Sequence, residues 1–174
     1  MSAEYEYIPN IGYGPFKFGM SPEDIHAILG PPTQTSAITD FLDPQYIDDE
    51  DLPFITGNFS EDYEGGLKNN AIPGFWYDPA GVAMISLQNR KGHYDFDGID
   101  LFDRDRQSVM ELLARKEETV YYNGESYFFR NSALVITAPE LWKRQGTVNF
   151  VRTDYIMHRL AFDDWEMMDE LEFF

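Results

Sequence analysis

The chain has 174 residues, of which 43% are hydrophobic and 16% aromatic, and it contains no cysteine. This composition is sufficient for a folded domain, and it excludes disulfides, thiolate metal sites and cysteine nucleophiles. With 31 Asp and Glu against 13 Lys and Arg, the formal net charge is −18. Such a charge repels nucleic acids and anionic membranes and favours encounter with basic partners. Because neither a leader pattern nor a membrane-spanning apolar run is visible, we expect a cytoplasmic protein.

The first element that the sequence indicates is a short helix after Ser21. Ser21 is a favourable N-cap, and Pro22 suits the first helical position. Apolar residues follow at the spacing of one helical face: Ile25, Ile28 and Leu29. Gly30 and the two prolines after it end the helix. We therefore predict a helix of two to three turns that needs a sheet to cover its apolar face.

The segment 33–67 follows this helix and contains no Lys, Arg or His. Its carboxylates are interleaved with aromatic residues, which combine electrostatic steering with contact area. We interpret it as a partner-binding surface, with the acidic run 48–51 steering the partner and the aromatic residues anchoring it. The predicted binding residues are Asp40, Asp43, Tyr46, Asp48, Asp49, Glu50, Asp51, Phe54, Phe59, Glu61, Asp62, Tyr63 and Glu64.

The pattern of the first helix returns 84 positions later, with Asp105 in the place of Ser21, and predicts a second helix over about 104–116. A hairpin is predicted after each helix, with turns at 78–81 and 130–133. The hairpins are offset by only 52 positions, so 32 extra residues fall between the first helix and its hairpin. Those residues belong to the acidic segment, and insertions on a repeated framework tend to carry function.

Three further segments complete the prediction. Residues 92–97 alternate as a half-buried strand does, 147–157 are interpreted as a long strand or a bent pair, and the acidic tail 163–172 as a helix. The expected fold is an α+β single domain, 1–174, of two tandem helix-plus-antiparallel-meander units. These would form a curved sheet with short helices on one face. The first unit spans 14–97, with the acidic insertion at about 33–67, and the second spans 98–174.

A helix introduced by Phe18-Gly-Met-Ser-Pro-Glu-Asp and closed by Leu29-Gly-Pro-Pro, then a meander, resembles one unit of the β-lactamase-inhibitor-protein type of fold. Outer-membrane-assembly lipoproteins share this unit. Two units in tandem are similar to the β-lactamase inhibitory proteins, where they form a concave sheet that grips another protein. The resemblance covers roughly 14–32, 72–88 and 98–138. Because lipidated cysteine, signal sequence and disulfides are absent, it implies the fold without the membrane role or the β-lactamase target.

In its size, acidity and lack of cysteine, the chain is also similar to bacterial immunity proteins, which neutralise toxins from neighbouring cells. Many such toxins are basic nucleases, and a carboxylate-rich surface resembles the phosphates that they bind. This resemblance implies an immunity protein that binds a cognate basic toxin or nuclease. It implies no catalytic residue, cofactor or metal, and no direct contact with nucleic acid or membrane.

Two alternatives stay open at this stage. One is a carboxylate-dependent hydrolase or carbohydrate-binding enzyme with paired carboxylates near Trp76 and Tyr77. The other is an adaptor that mimics nucleic acid. The three histidines have no metal-ligand spacing and are interpreted as structural or exposed: His26, His93 and His158. The run that begins at Asp95 lacks the alternation of ligands, the glycine at the sixth place and the glutamate at the twelfth place of a calcium loop.

Overall fold

The computed structural model describes residues 4–37, 45, 48–49, 57–65, 67, 71–88, 95–96, 99–100, 105–137, 147–159 and 166–168. In this part the protein is α+β, as predicted, with three helices and two sheets. The helices are α1 (Pro22–Leu29), α2 (Arg106–Ala114) and α3 (Thr153–Arg159). Across the described ranges, every helix is too short or too polar to cross a membrane.

The described residues contain fourteen strands. In chain order they are β1 (Glu6–Ile8), β2 (Gly12–Tyr13), β3 (Phe16–Lys17), β4 (Gln34–Ala37), β5 (Phe59–Asp62), β6 (Ile72–Asp78), β7 (Gly81–Gln88), β8 (Asp95–Phe96), β9 (Ile99–Asp100), β10 (Val120–Tyr122), β11 (Ser126–Phe129), β12 (Leu134–Thr137), β13 (Thr147–Val151) and β14 (Glu166–Met168). They form a five-stranded sheet, ordered β3-β2-β1-β8-β9, and a nine-stranded sheet, ordered β14-β10-β11-β12-β13-β7-β6-β5-β4.

The nine-stranded sheet is antiparallel throughout and contains two meanders. The strands β4 to β7 follow α1 in order, and β10 to β13 follow α2 in order. The last strands of the two meanders, β7 and β13, pair with each other, with Met84 opposite Val151. This pairing joins both meanders into one continuous sheet. In the smaller sheet, β1 and β8 are parallel and the other pairs are antiparallel.

Both helices that the sequence predicts begin at the predicted N-caps. The Ser21 hydroxyl accepts from the Asp24 amide at 3.2 Å, and the Asp24 carboxylate accepts from the Ser21 amide at 3.0 Å. This reciprocal capping box satisfies two amides that would otherwise have no helical partner. The Asp105 carboxylate accepts from the Ser108 amide at 3.0 Å, and this bond lowers the pKa of Asp105.

The main core lies between one face of the large sheet, the helices α1 and α2, and the small sheet. Ile25 of α1 and Leu113 of α2 are fully buried there. Tyr7 of β1 stacks on Phe150 at 3.9 Å, and its hydroxyl donates to the carbonyl of Ala133 at 2.7 Å. Burial raises the pKa of Tyr7 above the ordinary tyrosine range. Packing of this kind fixes the small sheet against both meanders.

The helix α3 packs on the opposite face of the large sheet, and the sequence interpretation of this region was wrong. Residues 147–157 do not form one long strand or a bent pair, because β13 ends at Val151 and a helix follows. The Arg152 guanidinium binds the carboxylates of Asp78 and Asp154. These contacts redirect the chain after the strand. Ile156 is then buried in a second, smaller apolar cluster.

One other prediction needs correction, and one is confirmed where the structure describes it. In the tail, Glu166–Met168 is a strand that pairs with β10, where a helix was predicted. The exposed edge of β10 offers backbone donors and acceptors, which favours strand pairing over an isolated helix. The predicted strand 92–97 is described only at Asp95–Phe96, which forms β8.

Both predicted hairpins form, but they hold different places in their meanders. The β6–β7 hairpin contains the third and fourth strands after α1, whereas β11–β12 contains the second and third strands after α2. An offset of 52 positions therefore compares strands that are not equivalent. Residues 38–58 of the acidic segment lie between β4 and β5, where the other meander has only residues 123–125. The insertion thus falls inside the first meander, between β4 and β5 in the chain.

Candidate functional site

The strand β5 carries the end of the acidic segment, and its side chains alternate between the two faces of the sheet. Phe59 and Glu61 point toward α1, where Phe59 stacks on Tyr77 with ring centroids 4.7 Å apart. Asp62 lies on the other face, beside Gly74 of β6, which is its partner in the strand pairing. One acidic run therefore supplies two different sites, back to back.

The site on the α1 side, here the inner cluster, consists of His26, Glu61, Tyr63 and Tyr77. Glu61 is only 3% exposed. Its carboxylate oxygens lie 2.9 and 3.0 Å from Nε2 of His26, and one of them accepts from the Tyr77 hydroxyl at 3.0 Å. A buried carboxylate is costly unless it is hydrogen-bonded, and these two donors provide that compensation. The cluster thereby connects α1 to β5 and β6.

Two tyrosines of the inner cluster have strongly raised pKa values. For Tyr77, burial is the main cause, and the hydrogen bond to Glu61 and its negative charge add to it. Burial, followed by the charge of Glu61, raises the pKa of Tyr63 to about 12. The Tyr63 hydroxyl is buried near Glu61, and among the described residues no atom meets it at good hydrogen-bond geometry. Both phenols therefore stay protonated over the physiological range, and neither is activated as a nucleophile.

The site on the other face, here the Asp62 cleft, is an open depression of about 510 Å³. It is bounded by the end of β5 and by the facing parts of β6 and β7. Its lining residues are Asp62, Tyr63, Glu64, Ile72, Pro73, Gly74 and Ser86. In size and mixed polarity it suits a single side chain or a small ligand.

Gly74 is what keeps the Asp62 cleft open. A Cβ atom placed on Gly74 would lie 3.0 Å from Oδ1 of Asp62 and 3.9 Å from Cβ of Ser86. Any larger residue would fill the space between these two side chains. Burial raises the pKa of Asp62 above its ordinary value. Within the described ranges, no cation or hydrogen-bond donor contacts its carboxylate, which stays accessible to water and to a ligand.

The structure separates the predicted binding residues into two groups. Asp48, Asp49, Asp62 and Glu64 are exposed, as a binding surface requires. Glu61 and Tyr63 are buried and Phe59 is half-buried, and strand alternation turns Phe59 and Glu61 toward the core. The remaining predicted residues lie outside the described part of the chain: Asp40, Asp43, Tyr46, Glu50, Asp51 and Phe54.

The two aromatic residues of the enzyme alternative, Trp76 and Tyr77, also lie on different sides of the sheet. Trp76 pairs with Ser60 on the cleft side of the sheet, whereas Tyr77 is 1% exposed in the core, with a bulge between them. They cannot line one site. In the described part of the chain, His, Asp and Glu side chains form no group of three or more that could bind a metal ion.

Five residues of these sites were not identified by sequence reasoning as site residues: His26, Ile72, Pro73, Gly74 and Ser86. His26 was interpreted as structural or exposed, and its place next to Ile25 on α1 was the available signal that it could face the sheet. Gly74 and Ser86 carried no signal, because their position depends on which strands pair and in which register. A glycine inside a strand is, however, a general hint of close approach by another group.

Comparisons with protein-family models, curated proteins and solved structures found no match for this chain. The resemblance to tandem inhibitor-type units therefore stays a prediction, and the function is inferred from the two sites themselves.

Proposed function

We propose that this chain is an acidic binding protein of the cytoplasm that captures and blocks a basic protein, with a toxin as the class that fits best. The observation that carries the proposal is the Asp62 cleft. Its carboxylates, Asp62 and Glu64, face outward and contact no basic side chain in the described ranges. An accessible carboxylate without a counter-charge can pair with an approaching cation, and such pairing favours its ionised form.

The rest of the charge distribution supports the same proposal. Asp48 and Asp49 are exposed in a segment without any Lys, Arg or His, and the whole chain carries a formal charge of −18. A field of this sign concentrates basic partners near the surface and increases the association rate. The cleft would then bind a partner that the wider surface has attracted.

We also propose that two tandem units, 14–97 and 98–174, provide a curved scaffold for this surface. Three observations support the proposal: the N-caps Ser21 and Asp105 are 84 positions apart, four antiparallel strands follow each helix, and the last strands of both meanders pair. The acidic insertion distinguishes the first unit from the second. In this scheme the second unit serves as framework and the first carries the partner-specific part.

The test is co-expression of this chain with the product of the neighbouring gene, followed by purified binding. We expect that the product is toxic alone, that growth is restored by this chain, and that the association rate falls with ionic strength. The double variant Asp48→Lys, Asp49→Lys should reduce the association rate about tenfold. The matched control is Glu125→Lys, which changes an exposed charge in the second meander.

Three outcomes would contradict the proposal. The neighbouring product is harmless, or its toxicity persists when this chain is present, or binding is insensitive to both salt and the double variant. If the bound partner is an enzyme of nucleic-acid metabolism, and DNA competes with this chain for the same site on that enzyme, the adaptor alternative replaces the immunity function.

A carboxylate-dependent hydrolase is the second candidate, and one observation favours it. Burial raises the pKa of Asp62, and Glu64 lines the same cleft. Glycoside hydrolases pair a protonated acid with a second carboxylate in this way. A panel of aryl glycosides tests this candidate, because turnover that disappears in both Asp62→Asn and Glu64→Gln would establish it. Absence of turnover in the parent chain over the panel would eliminate it.

A further inference from the structure

We propose that the Asp62 cleft binds the guanidinium group of one arginine side chain of the partner. This inference rests on the proposed function, since it specifies which basic group the partner presents. It assigns roles to three residues: Asp62 as the ionic acceptor, Ser86 as the second polar wall, and Gly74 as the bare floor between them.

The shape of the cleft is the first reason. Asp62 and Ser86 flank the backbone of Gly74, at 3.0 and 3.9 Å from the position of its missing Cβ atom. These distances limit the separation of Asp62 Oδ1 from Ser86 Cβ to 6.9 Å at most. One planar guanidinium over the backbone of Gly74 can therefore contact both side chains, whereas a side chain on β6 at this position would occupy the space between them.

Unsatisfied hydrogen-bonding capacity is the second reason. In the described part of the chain, neither the Asp62 carboxylate nor the Ser86 hydroxyl has a hydrogen-bond partner, and Glu64 adds another acceptor at the rim. Arginine carries five N–H donors in a planar fork that pairs with a carboxylate through two bonds at once. One guanidinium can therefore reach Asp62 and Ser86 together.

The apolar walls favour arginine over lysine. Ile72 and Pro73 line the approach to the cleft, and the methylene groups of a long basic side chain can pack on them. Lysine also has such methylene groups, but its ammonium is compact, strongly hydrated and unable to form the fork-like pair. Arginine is in addition one of the residues most enriched at the energetic centres of protein interfaces.

The experiment is an NMR titration of the full chain with N-acetyl-arginine amide, compared with the lysine and citrulline analogues. We expect saturable shifts of the Gly74 and Ser86 amides with the arginine compound. The lysine compound should bind several-fold more weakly, and neutral citrulline should leave these amides unchanged. Shifts spread over all acidic residues, or equal responses to arginine and lysine, would overturn the inference.

Two variants and two matched controls identify the cleft. Asp62→Asn and Gly74→Ala should each weaken arginine binding at least about tenfold, the first by removing the charge and the second by occupying the floor. Glu125→Gln and Gly65→Ala should leave it unchanged, because Glu125 is exposed in the second meander and a Cβ on Gly65 meets no atom within 4 Å. If Gly74→Ala fails to fold, Asp62→Asn alone decides.

The small-molecule titration separates this inference from the proposed function. If the arginine compound binds at Gly74 and Ser86 but no basic protein is neutralised, the subsite stands and the immunity function fails. If a basic protein is neutralised and Asp62→Asn or Gly74→Ala changes neither its affinity nor the titration, the function stands and the subsite is wrong.

Discussion

Glu61 and Asp62 are neighbours in one strand, and their carboxylates have opposite surroundings. Glu61 is buried and accepts hydrogen bonds from Tyr77 and His26, whereas Asp62 opens onto a cleft and contacts no donor in the described part of the chain. The difference follows from strand alternation, which turns consecutive side chains to opposite faces. An acidic run therefore contains some carboxylates that stabilise the fold and others that are available to a partner. The net charge of the chain does not distinguish between the two kinds.

The largest expected effect comes from removing the buried member of this pair. Glu61→Ala leaves the Tyr77 hydroxyl unpaired in the core and should destabilise the protein by about 3 kcal/mol, measured by urea denaturation. Asp62→Ala removes the same charge from a site without partners, and the change should stay within about 0.5 kcal/mol. Equal losses from both substitutions would show that the two carboxylates do not differ as the structure indicates.

The tyrosines of the inner cluster allow a sharper comparison at the scale of one hydroxyl group. Tyr77→Phe removes a hydrogen bond to Glu61 and should cost about 1 kcal/mol in the free energy of unfolding. Tyr63→Phe removes a buried hydroxyl that has no partner among the described residues, so it should stabilise the protein by up to about 1 kcal/mol. A loss of stability in Tyr63→Phe would mean that its hydroxyl is hydrogen-bonded after all.

The elements that sequence reasoning predicted are those encoded by adjacent residues. The cap of α1 requires only Ser21 and the three residues after it, and the β6–β7 hairpin requires only the turn at 78–81 and its flanks. The acidic insertion was also visible, because a stretch without basic residues can be counted directly. In each case the physical cause lies within a few positions of the chain.

The two sites could not be predicted, because each depends on residues that are distant in sequence. His26 and Glu61 are 35 positions apart, and the Asp62 cleft requires the registers of β5 against β6 and of β6 against β7. A shift of one residue in either register would exchange the inward and outward faces. The helix α3 was missed for the same reason, since Arg152 is fixed by Asp78, which lies 74 positions earlier.

Alkaline titration tests the inner cluster without any substitution. Burial raises the pKa of Tyr77 and raises that of Tyr63 to about 12, so the folded protein retains protons that the unfolded chain loses near pH 10. Stability should therefore fall as the pH rises from about 10 toward 12, and tyrosinate absorbance should appear together with unfolding. Tyr63→Phe should reduce this slope. Two tyrosines that ionise freely near pH 10 without loss of structure would contradict the burial of the cluster.

The smallest expected effect concerns the pH dependence of Asp62. Burial raises its pKa in the folded state, so the folded protein binds this proton more tightly than the unfolded chain. The contribution of Asp62 to stability therefore declines as the pH rises from the ordinary aspartate pKa through the raised value. Asp62→Asn removes this decline, so the variant should be slightly more stable than the parent at neutral pH but not in acid. Asp49→Asn is the control, because it removes one negative charge at another exposed position. An arginine ligand should cancel the same decline, because pairing favours the ionised carboxylate. If the parent and Asp62→Asn have parallel stability profiles from acid to neutral pH, burial does not raise the pKa of Asp62 in the folded protein, and this support for a cation in the cleft is lost.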